Sequence, residues 1–436
     1  MTQATNATFA PSFSSTEART YAKVTARLVP FLFICYLAAY LDRVNVGFAK
    51  LQMLNELKFS ETIYGLGAGI FFLGYVLFEV PSNIILHRVG ARLWIARIMI
   101  TWGLISGAMA FVGSPTSFYF LRFLLGAAEA GFIPGILLYL TYWFPADRRG
   151  RITAIFLAAI PMASVIGGPI SGWILSSLSG AHGLSGWQWL FIMETIPSLV
   201  LGIIILFYLD DRVDEAKWLN DEEKKIVATN IAKDQQGKED YSQLSYAFKS
   251  GRVWLLGLIY VCIASGIYVV SFWVPTIIKQ TGVADPLYIG LLTAIPYLVA
   301  MIAMIVVNHH ADKMRERRWH TVIPTILTGV GLVVTALAIH NTLVAMIGLT
   351  IAAASASTSQ SSFWTVPANL LAGAAAAAGI ALINSIGNIG GFASTFVVGW
   401  MTDLTHSTSA SLYLFAGFLV LAGLLLLTIP ARIINK

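Results

Sequence analysis

The sequence predicts an all-α membrane protein with twelve transmembrane helices in two six-helix halves. Of its 436 residues, 57% are hydrophobic and only 11% are charged, which is a more apolar composition than a soluble domain of this length has. The apolar residues also fall into runs of roughly 20 residues or more, the length needed to cross about 30 Å of hydrocarbon. Composition and run length together therefore exclude a soluble protein.

Twelve apolar runs follow one another along the chain, and one polar stretch separates the first six from the last six. The runs lie at 28–49, 62–86, 92–112, 117–144, 152–178, 188–209, 253–278, 287–308, 320–339, 342–368, 374–402 and 409–430. The polar stretch, 210–252, carries both charge signs, and we interpret it as a solvated linker rather than a binding module. The predicted parts are a tail (1–27), an N-terminal half (28–209), the linker, a C-terminal half (253–430) and a second tail (431–436).

The distribution of Lys and Arg predicts the orientation of the chain. These residues collect in both tails, in the linker and in the loops after helices two, four and eight, whereas the opposite loops hold little more than Lys50, Lys58 and Lys279. Because basic residues favour the cytoplasmic side, both termini are expected there. The net charge of +6 is then a matter of membrane topology, and we expect no nucleic-acid partner.

Four ionisable residues interrupt the apolar runs of helices one and four. Asp42 and Arg43 lie in PFLFICYLAAYLDRVNVGF, and Arg122 and Glu129 lie in SFYFLRFLLGAAEAGFIPGILLYLTYWF. An ionised group at bilayer depth is costly unless it is paired or faces water, so such residues by default mark a path for an ion or substrate. The alternative, that acid and base only hold two helices together, stays open. The sequence thus predicts a transporter.

Several segments resemble a known family. The loops NIILHRVGAR and NHHADKMRERR, after helices two and eight, resemble the G-x-x-x-D-R-x-G-R-R loop of the major facilitator superfamily, with His87 in place of the acidic residue in the first. The segments YLDRVNVGFA, GYVLFEVPSNIILHRVGAR, RFLLGAAEAGFIPG, FWTVP and GIALINSIGNIGGF resemble its anion:cation symporter family, which includes tartrate, phthalate and 4-hydroxyphenylacetate permeases. The resemblance covers nearly the whole chain outside the linker and tails.

This resemblance implies the major facilitator fold and proton symport of an organic carboxylate anion through alternating access. It further implies a multi-pass protein of the bacterial inner membrane that functions as a monomer, with the proton as its coupling ion and no cofactor. Because helices one and four line the central cavity in that superfamily, the four ionisable residues could form one cluster. In that cluster Asp42 and Glu129 would carry the proton, while Arg43 and Arg122 would bind the carboxylate. The two signature loops would supply a conformational latch of Arg88, Gly90, Arg92, Asp312 and Arg317.

Further substrate-binding candidates are polar or aromatic residues on helices one, two, ten and eleven. Asn384 and Asn388 are one turn apart on helix eleven, and Ser359 belongs to a serine-rich face of helix ten. The remaining candidates are Trp364, Tyr40 and Tyr75. Small polar residues on membrane helices also serve close packing, and buried tyrosines often only pack. Hydroxyl and amide groups would suit a hydroxy acid such as tartrate and the rings an aromatic acid, so the substrate stays open.

Other classes of function find little support in the chain. It contains no His-Glu-x-x-His pattern, no Walker loop and no cysteine pair with metal-ligand spacing, so we expect neither a metal site nor an enzyme. A membrane-embedded enzyme would need a nucleophile with a base, or a metal set. Charges confined to one half also suit a single coupling site better than a channel filter. Within transport, an exchanger or a uniporter remains the alternative.

Overall fold

The computed structural model describes residues 15–235, 249–370 and 374–435, so parts of both tails and of the linker lie outside the described residues. Those ranges contain no β-strand, and twelve of their helices are long and apolar enough to cross a membrane. In chain order, α1 to α12 are Thr16–Leu57, Glu61–Val89, Ala91–Phe111, Pro115–Thr141, Ala146–Ser177, Gly186–Tyr208, Gly251–Gln280, Pro286–Met314, Arg318–Leu337, Thr342–Pro367, Gly379–Thr405 and Ser409–Leu427. The predicted all-α, twelve-helix fold is confirmed.

Several of these helices are interrupted. The break in α1 separates the regular segments Ser15–Val44 and Val46–Leu57, and the break in α4 separates Pro115–Glu129 and Phe132–Thr141. The break in α5 separates Ala146–Leu157 and Ala159–Ser177. The break in α10 separates Thr342–Phe363 and Thr365–Leu370, the second of which continues past Pro367. The helical stretch that contains α11 is Ala374–Thr405. Shorter helices are Ala181–Gly183, Val213–Glu215, Asp221–Gln235 and Ala431–Ile434. The breaks in α1 and α4 adjoin the ionisable residues that the sequence singled out.

The break in α4 depends on a glycine. Glu129 ends the first helical segment, Ala130 leaves the helical conformation, and Gly131 has φ +87°. Only glycine adopts such a φ readily, and a Cβ at Gly131 would also lie 2.3 Å from the Ser82 hydroxyl oxygen of α2. The Glu129 carboxyl is thereby held at the end of a helical segment that packs against α2.

The two halves meet through close contacts between backbones. A Cβ on Gly399 of α11 would lie 2.2 Å from the Glu61 carbonyl oxygen of α2, and one on Gly172 of α5 would lie 2.5 Å from the Pro286 carbonyl oxygen of α8. Small residues permit such an approach of membrane helices. These contacts lie at the end of the bundle opposite the linker, which we call the far face, and they close the bundle there. The other end is the linker face.

Polar contacts add to the closure of the far face. Asp403 of α11 accepts hydrogen bonds from the backbone N–H groups of Glu61 (3.0 Å) and Thr62 (2.7 Å), at the start of α2, where a helix favours negative charge. Lys50 of α1 forms an ion pair with Glu61 and lies 3.7 Å from the centroid of the Trp273 ring of α7. Helices of both halves are thus joined at this face.

The linker helix Asp221–Gln235 packs on the linker face. Lys23 of α1 donates to Glu223 at 2.8 Å, and Arg149 of α5 donates to Asp234 at 2.7 Å. The hydrogen bond from Lys23 lowers the pKa of Glu223, with a smaller effect from the backbone N–H of Asn220. These ion pairs hold the described part of the linker against the N-terminal half.

Candidate functional site

The centre of the site is a buried ion pair between α1 and α4. The Nε of Arg43 lies 3.1 Å from Oε1 of Glu129, and Nη2 of Arg43 contacts the same oxygen. Arg43 is 6% exposed and Glu129 is 2% exposed. The rings of Phe71, Tyr75 and Tyr40 surround the guanidinium, with centroids 5.4, 5.5 and 5.9 Å from its Cζ. In this state Glu129 neutralises Arg43 within an aromatic enclosure.

Arg122 lies near the same Phe71 ring, whose centroid is 5.0 Å from the Arg122 Cζ. It is fully buried and donates to the backbone carbonyls of Gly67 (3.2 Å) and Ala68 (3.3 Å) of α2. Its Nη1 has no hydrogen-bond partner among the described residues. Burying a guanidinium without partners for all of its N–H groups costs free energy. The N–H groups on Nη1 of Arg122 are therefore available as donors to an anion.

Asp42 points away from this group. Its carboxylate accepts hydrogen bonds from Trp102 Nε1 (3.0 Å) and Ser106 Oγ (2.9 Å) of α3 and from Ser198 Oγ (2.5 Å) of α6. The expectation of one four-residue cluster is therefore wrong for Asp42, because adjacent residues of a helix point about 100° apart. The structure contains two separate acidic sites, one paired with Arg43 and one held by neutral donors.

The C-terminal half approaches the ion pair through α7 and α11. Asn384 Nδ2 lies 3.4 Å from Oε1 of Glu79, a carboxyl of α2 that also interacts electrostatically with Arg43. The Tyr40 hydroxyl lies 3.4 Å from the Ser271 hydroxyl of α7. From the sequence Glu79 is expected to belong to the closing latch and is not a substrate-binding candidate, although its spacing of four residues from Tyr75 places both on one helix face. The site therefore draws residues from both halves.

The other candidates of the C-terminal half lie in different places. Trp364 packs against the Tyr260 ring at 4.7 Å between centroids, at the break in α10, and Asn388 is buried one turn beyond Asn384. Ser359 is fully buried, and its hydroxyl lies 2.6 Å from that of Thr325 in α9. The structure thus places Ser359 in a contact between two helices of the same half.

The first signature loop contacts the beginning of the linker. Asp211 accepts from the backbone N–H of Arg92 at 2.7 Å, and Nε of Arg92 lies 3.7 Å from the same carboxylate. Gly90 has φ +97°, and a Cβ there would lie 3.2 Å from both Asp211 carboxylate oxygens. Arg88 is exposed. The loop is thus held by an acid at the beginning of the linker.

The second signature loop forms an ion pair within itself and contacts the C-terminal tail. Asp312 pairs with Arg317, whose backbone N–H donates to the Asn435 side chain at 2.8 Å. Burial opposes ionisation of Glu316, but hydrogen bonds from the Trp319 N–H and from His320 outweigh burial and lower the pKa of Glu316. Among the residues described, no cluster of three or more His, Cys, Asp or Glu is suited to hold a metal ion.

Comparison with known proteins identifies the family. A sequence profile described as "Major Facilitator Superfamily" matches residues 32–395, which is most of the chain. The chain belongs to this superfamily. It is accordingly a multi-pass membrane transporter, and the broken helices α1 and α4 belong to the half of the fold that carries the buried charges.

Named relatives resemble the major facilitator chain along nearly its full length. One, called "Putative metabolite transport protein NicT", from Pseudomonas putida, is 50% identical over 95% of this chain and 95% of its own. Another, called "Putative tartrate transporter", from Agrobacterium vitis, is 48% identical over 94% of this chain and 91% of its own. The resemblance therefore includes every segment that carries the site.

Solved structures agree in fold. A bacterial homologue of the human lysosomal transporter Spinster, in an inward-facing and occupied conformation, superposes with a TM-score of 0.74 at 16% identity and covers 95% of this chain and 97% of its own. The xylose transporter XylE from E. coli, in a partially occluded inward-open conformation, gives 0.73 at 14% identity, covering 93% and 98%. At these identities the likeness concerns the fold alone.

Proposed function

We propose that this transporter imports an organic carboxylate anion by proton symport through alternating access. The observation that carries the proposal is the buried Arg43–Glu129 pair beside a partly unsatisfied Arg122. Arg43 is paired with Glu129, whereas Arg122 forms no ion pair among the described residues, so its guanidinium is available to an anion. A guanidinium binds a carboxylate through two parallel hydrogen bonds, which makes an organic acid the best match.

Coupling follows from competition for Arg43. While Glu129 is ionised, its carboxylate occupies the Arg43 guanidinium. Protonation of Glu129 removes the negative charge, so that the N–H groups of Arg43 become available to a substrate carboxylate, with Nη1 of Arg122 as a further donor. Proton binding and anion binding then favour each other, which is the linkage that symport requires. Asp42, surrounded by neutral donors, is a second residue at which a proton can be held.

The remainder of the substrate would contact α1, α2, α10 and α11. Asn384, Asn388 and Trp364, with Tyr40 and Tyr75 from the other half, offer hydrogen-bonding groups and ring faces. The relatives named for tartrate and for a metabolite support an organic acid, and the polar groups favour a hydroxy acid. An exchanger or uniporter of the same fold would use the same anion site without requiring a proton.

We further propose that the protein functions as a monomer in a bacterial inner membrane with the linker face in the cytoplasm. The basic loops and the linker lie at that face, as the positive-inside rule requires. With this orientation, the far face, where Asp403 and Lys50 join the two halves, would be the periplasmic side, and the structure would correspond to a state closed to the periplasm. Proton and substrate would be released towards the linker face from this state.

Uptake by purified protein in proteoliposomes tests the proposal. Labelled tartrate and nicotinate are supplied outside at acidic pH with a neutral interior, and the same vesicles are measured with an uncoupler or without a gradient. Symport predicts accumulation above the external concentration only when the gradient is present. Equal uptake with and without the gradient would favour a uniporter, and uptake only against preloaded anion would favour an exchanger.

A further inference from the structure

Glu194 is a buried acid of the N-terminal half that plays no part in the mechanism above. It lies on α6 and is 5% exposed. Its Oε1 accepts a hydrogen bond from the Ser171 hydroxyl of α5 at 2.6 Å, while Oε2 is buried and has no hydrogen-bond partner in the described structure. The Glu194 carboxyl thus has one close hydrogen-bond donor, the Ser171 hydroxyl, and burial without further close donors is costly for a charged carboxylate.

The groups that face Glu194 do not neutralise it. Asp42 of α1 is the titratable group that interacts with it electrostatically, and the charge of Asp42 has the same sign. From α3 the nearby polar groups are Trp102 and Ser106, which donate to Asp42. No Lys or Arg forms an ion pair with Glu194 in the part of the chain that the structure describes. Two carboxylates in this region repel each other, and binding of one proton by the pair would remove that repulsion.

An unsatisfied amide and a small cavity adjoin this acid. Asn45, at the break in α1, interacts with the Glu194 carboxyl through its side-chain amide, although no described residue lies within close hydrogen-bond distance of its Oδ1 or Nδ2. Asn45 and Ser171 line a cavity of about 10 Å³ where α1 and α5 meet α7 and α8. This volume is enough for one water molecule. Tyr297 of α8 also lines this cavity, and no described residue lies within close hydrogen-bond distance of its buried hydroxyl.

These groups form a polar route from the junction of the two halves into the N-terminal half. It begins at the cavity, passes Asn45 and Glu194, and ends at Asp42. We propose that Glu194 is a proton-binding residue that exchanges its proton with the cavity on one side and with Asp42 on the other. A proton carried into the cavity as hydronium would pass to Oε2 of Glu194 and leave neutral water, and the resulting carboxylic acid would pass the proton to the Asp42 carboxylate and return to its ionised form. The role given to Asp42 rests on the proposed symport, whereas proton binding by Glu194 does not.

Infrared spectroscopy tests proton binding without reference to transport. A pH titration of the purified protein records the carbonyl-stretch band of protonated carboxyl groups, with the exposed-acid variant Glu215→Gln as the matched control. We expect Glu194→Gln to lose the high-frequency component of this band that comes from a buried carboxyl with few hydrogen bonds, and Glu215→Gln to keep that component. An unchanged band in Glu194→Gln would overturn the proposal. If Glu194→Gln does not fold, Ser171→Ala is measured instead, because loss of its hydrogen bond should shift the band, and an unshifted band would also overturn it.

The relay step is tested by gradient-driven uptake with a pH-sensitive dye inside the vesicles. We expect Glu194→Gln to slow proton entry at least tenfold relative to Glu215→Gln, and Glu194→Asp, which keeps a carboxyl, to restore part of the rate. An undiminished rate in Glu194→Gln would refute the relay. Should the wild type itself show no gradient-driven uptake, the proposed symport fails, and the infrared result still decides whether Glu194 binds a proton.

Discussion

The substitution Glu129→Gln gives the sharpest test of competition for Arg43. The side chain keeps its shape but can no longer carry a negative charge, so it imitates the protonated state permanently. Arg43 then loses the charged partner whose Oε1 lies 3.1 Å from its Nε. We expect the substrate anion to bind without a preceding proton, and therefore to bind more tightly at neutral pH.

The size of the effect follows from the energy of the contact that the substrate no longer has to displace. A hydrogen bond to a charged group contributes about 1.5 to 3 kcal/mol, which corresponds to roughly ten- to hundredfold tighter binding. Without substrate, the same change leaves a buried guanidinium unpaired, which costs about 3 to 5 kcal/mol of stability. The variant should thus be less stable than the wild type alone and recover much of that stability when the anion binds.

Calorimetric titration of tartrate and nicotinate at several pH values measures the affinity, and thermal unfolding with and without anion measures the stability. We expect wild-type affinity to fall as the pH rises, because binding requires protonated Glu129, and the Glu129→Gln affinity to be independent of pH in this range. The exposed variant Glu215→Gln serves as control and should behave as the wild type. Weaker binding by Glu129→Gln, or an unchanged pH dependence, would refute the competition.

Three further predictions concern the other residues of the site. Arg122→Ala should weaken anion binding by roughly 2 to 5 kcal/mol, and an unchanged dissociation constant would show that Arg122 is structural. Asp42→Asn should abolish gradient-driven accumulation in a folded protein, and wild-type proton flux in this variant would contradict its coupling role. Asn384→Ala should change the ranking of competing organic acids, whereas Ser359→Ala, which breaks only the contact with Thr325, should cost about 1 kcal/mol of stability and leave that ranking unchanged. The opposite result, with Ser359→Ala altering the ranking, would contradict this division between the two residues.

The sequence was most informative about which residues matter and least informative about how they pair. The bilayer penalises ionised groups so strongly that Asp42, Arg43, Arg122 and Glu129 stand out by residue type alone. Asp42 and Arg43 are neighbours in the chain, yet they enter different sites, and the break at Asn45 directly follows the segment that carries them. Nothing in the local sequence predicts which helix each of them faces.

The sequence by itself determined the number of membrane helices, because their length and hydrophobicity depend on local composition alone. Tertiary structure alone decided that Glu129 pairs with Arg43, that Ser359 contacts Thr325, and that Glu194 accepts a hydrogen bond from Ser171. The physical reason lies in the solvent. A helix in water reveals its inner face through amphipathic periodicity, but lipid is as apolar as the protein interior. The rotation of each membrane helix, and with it the partner of each polar side chain, is therefore set by packing against the other helices.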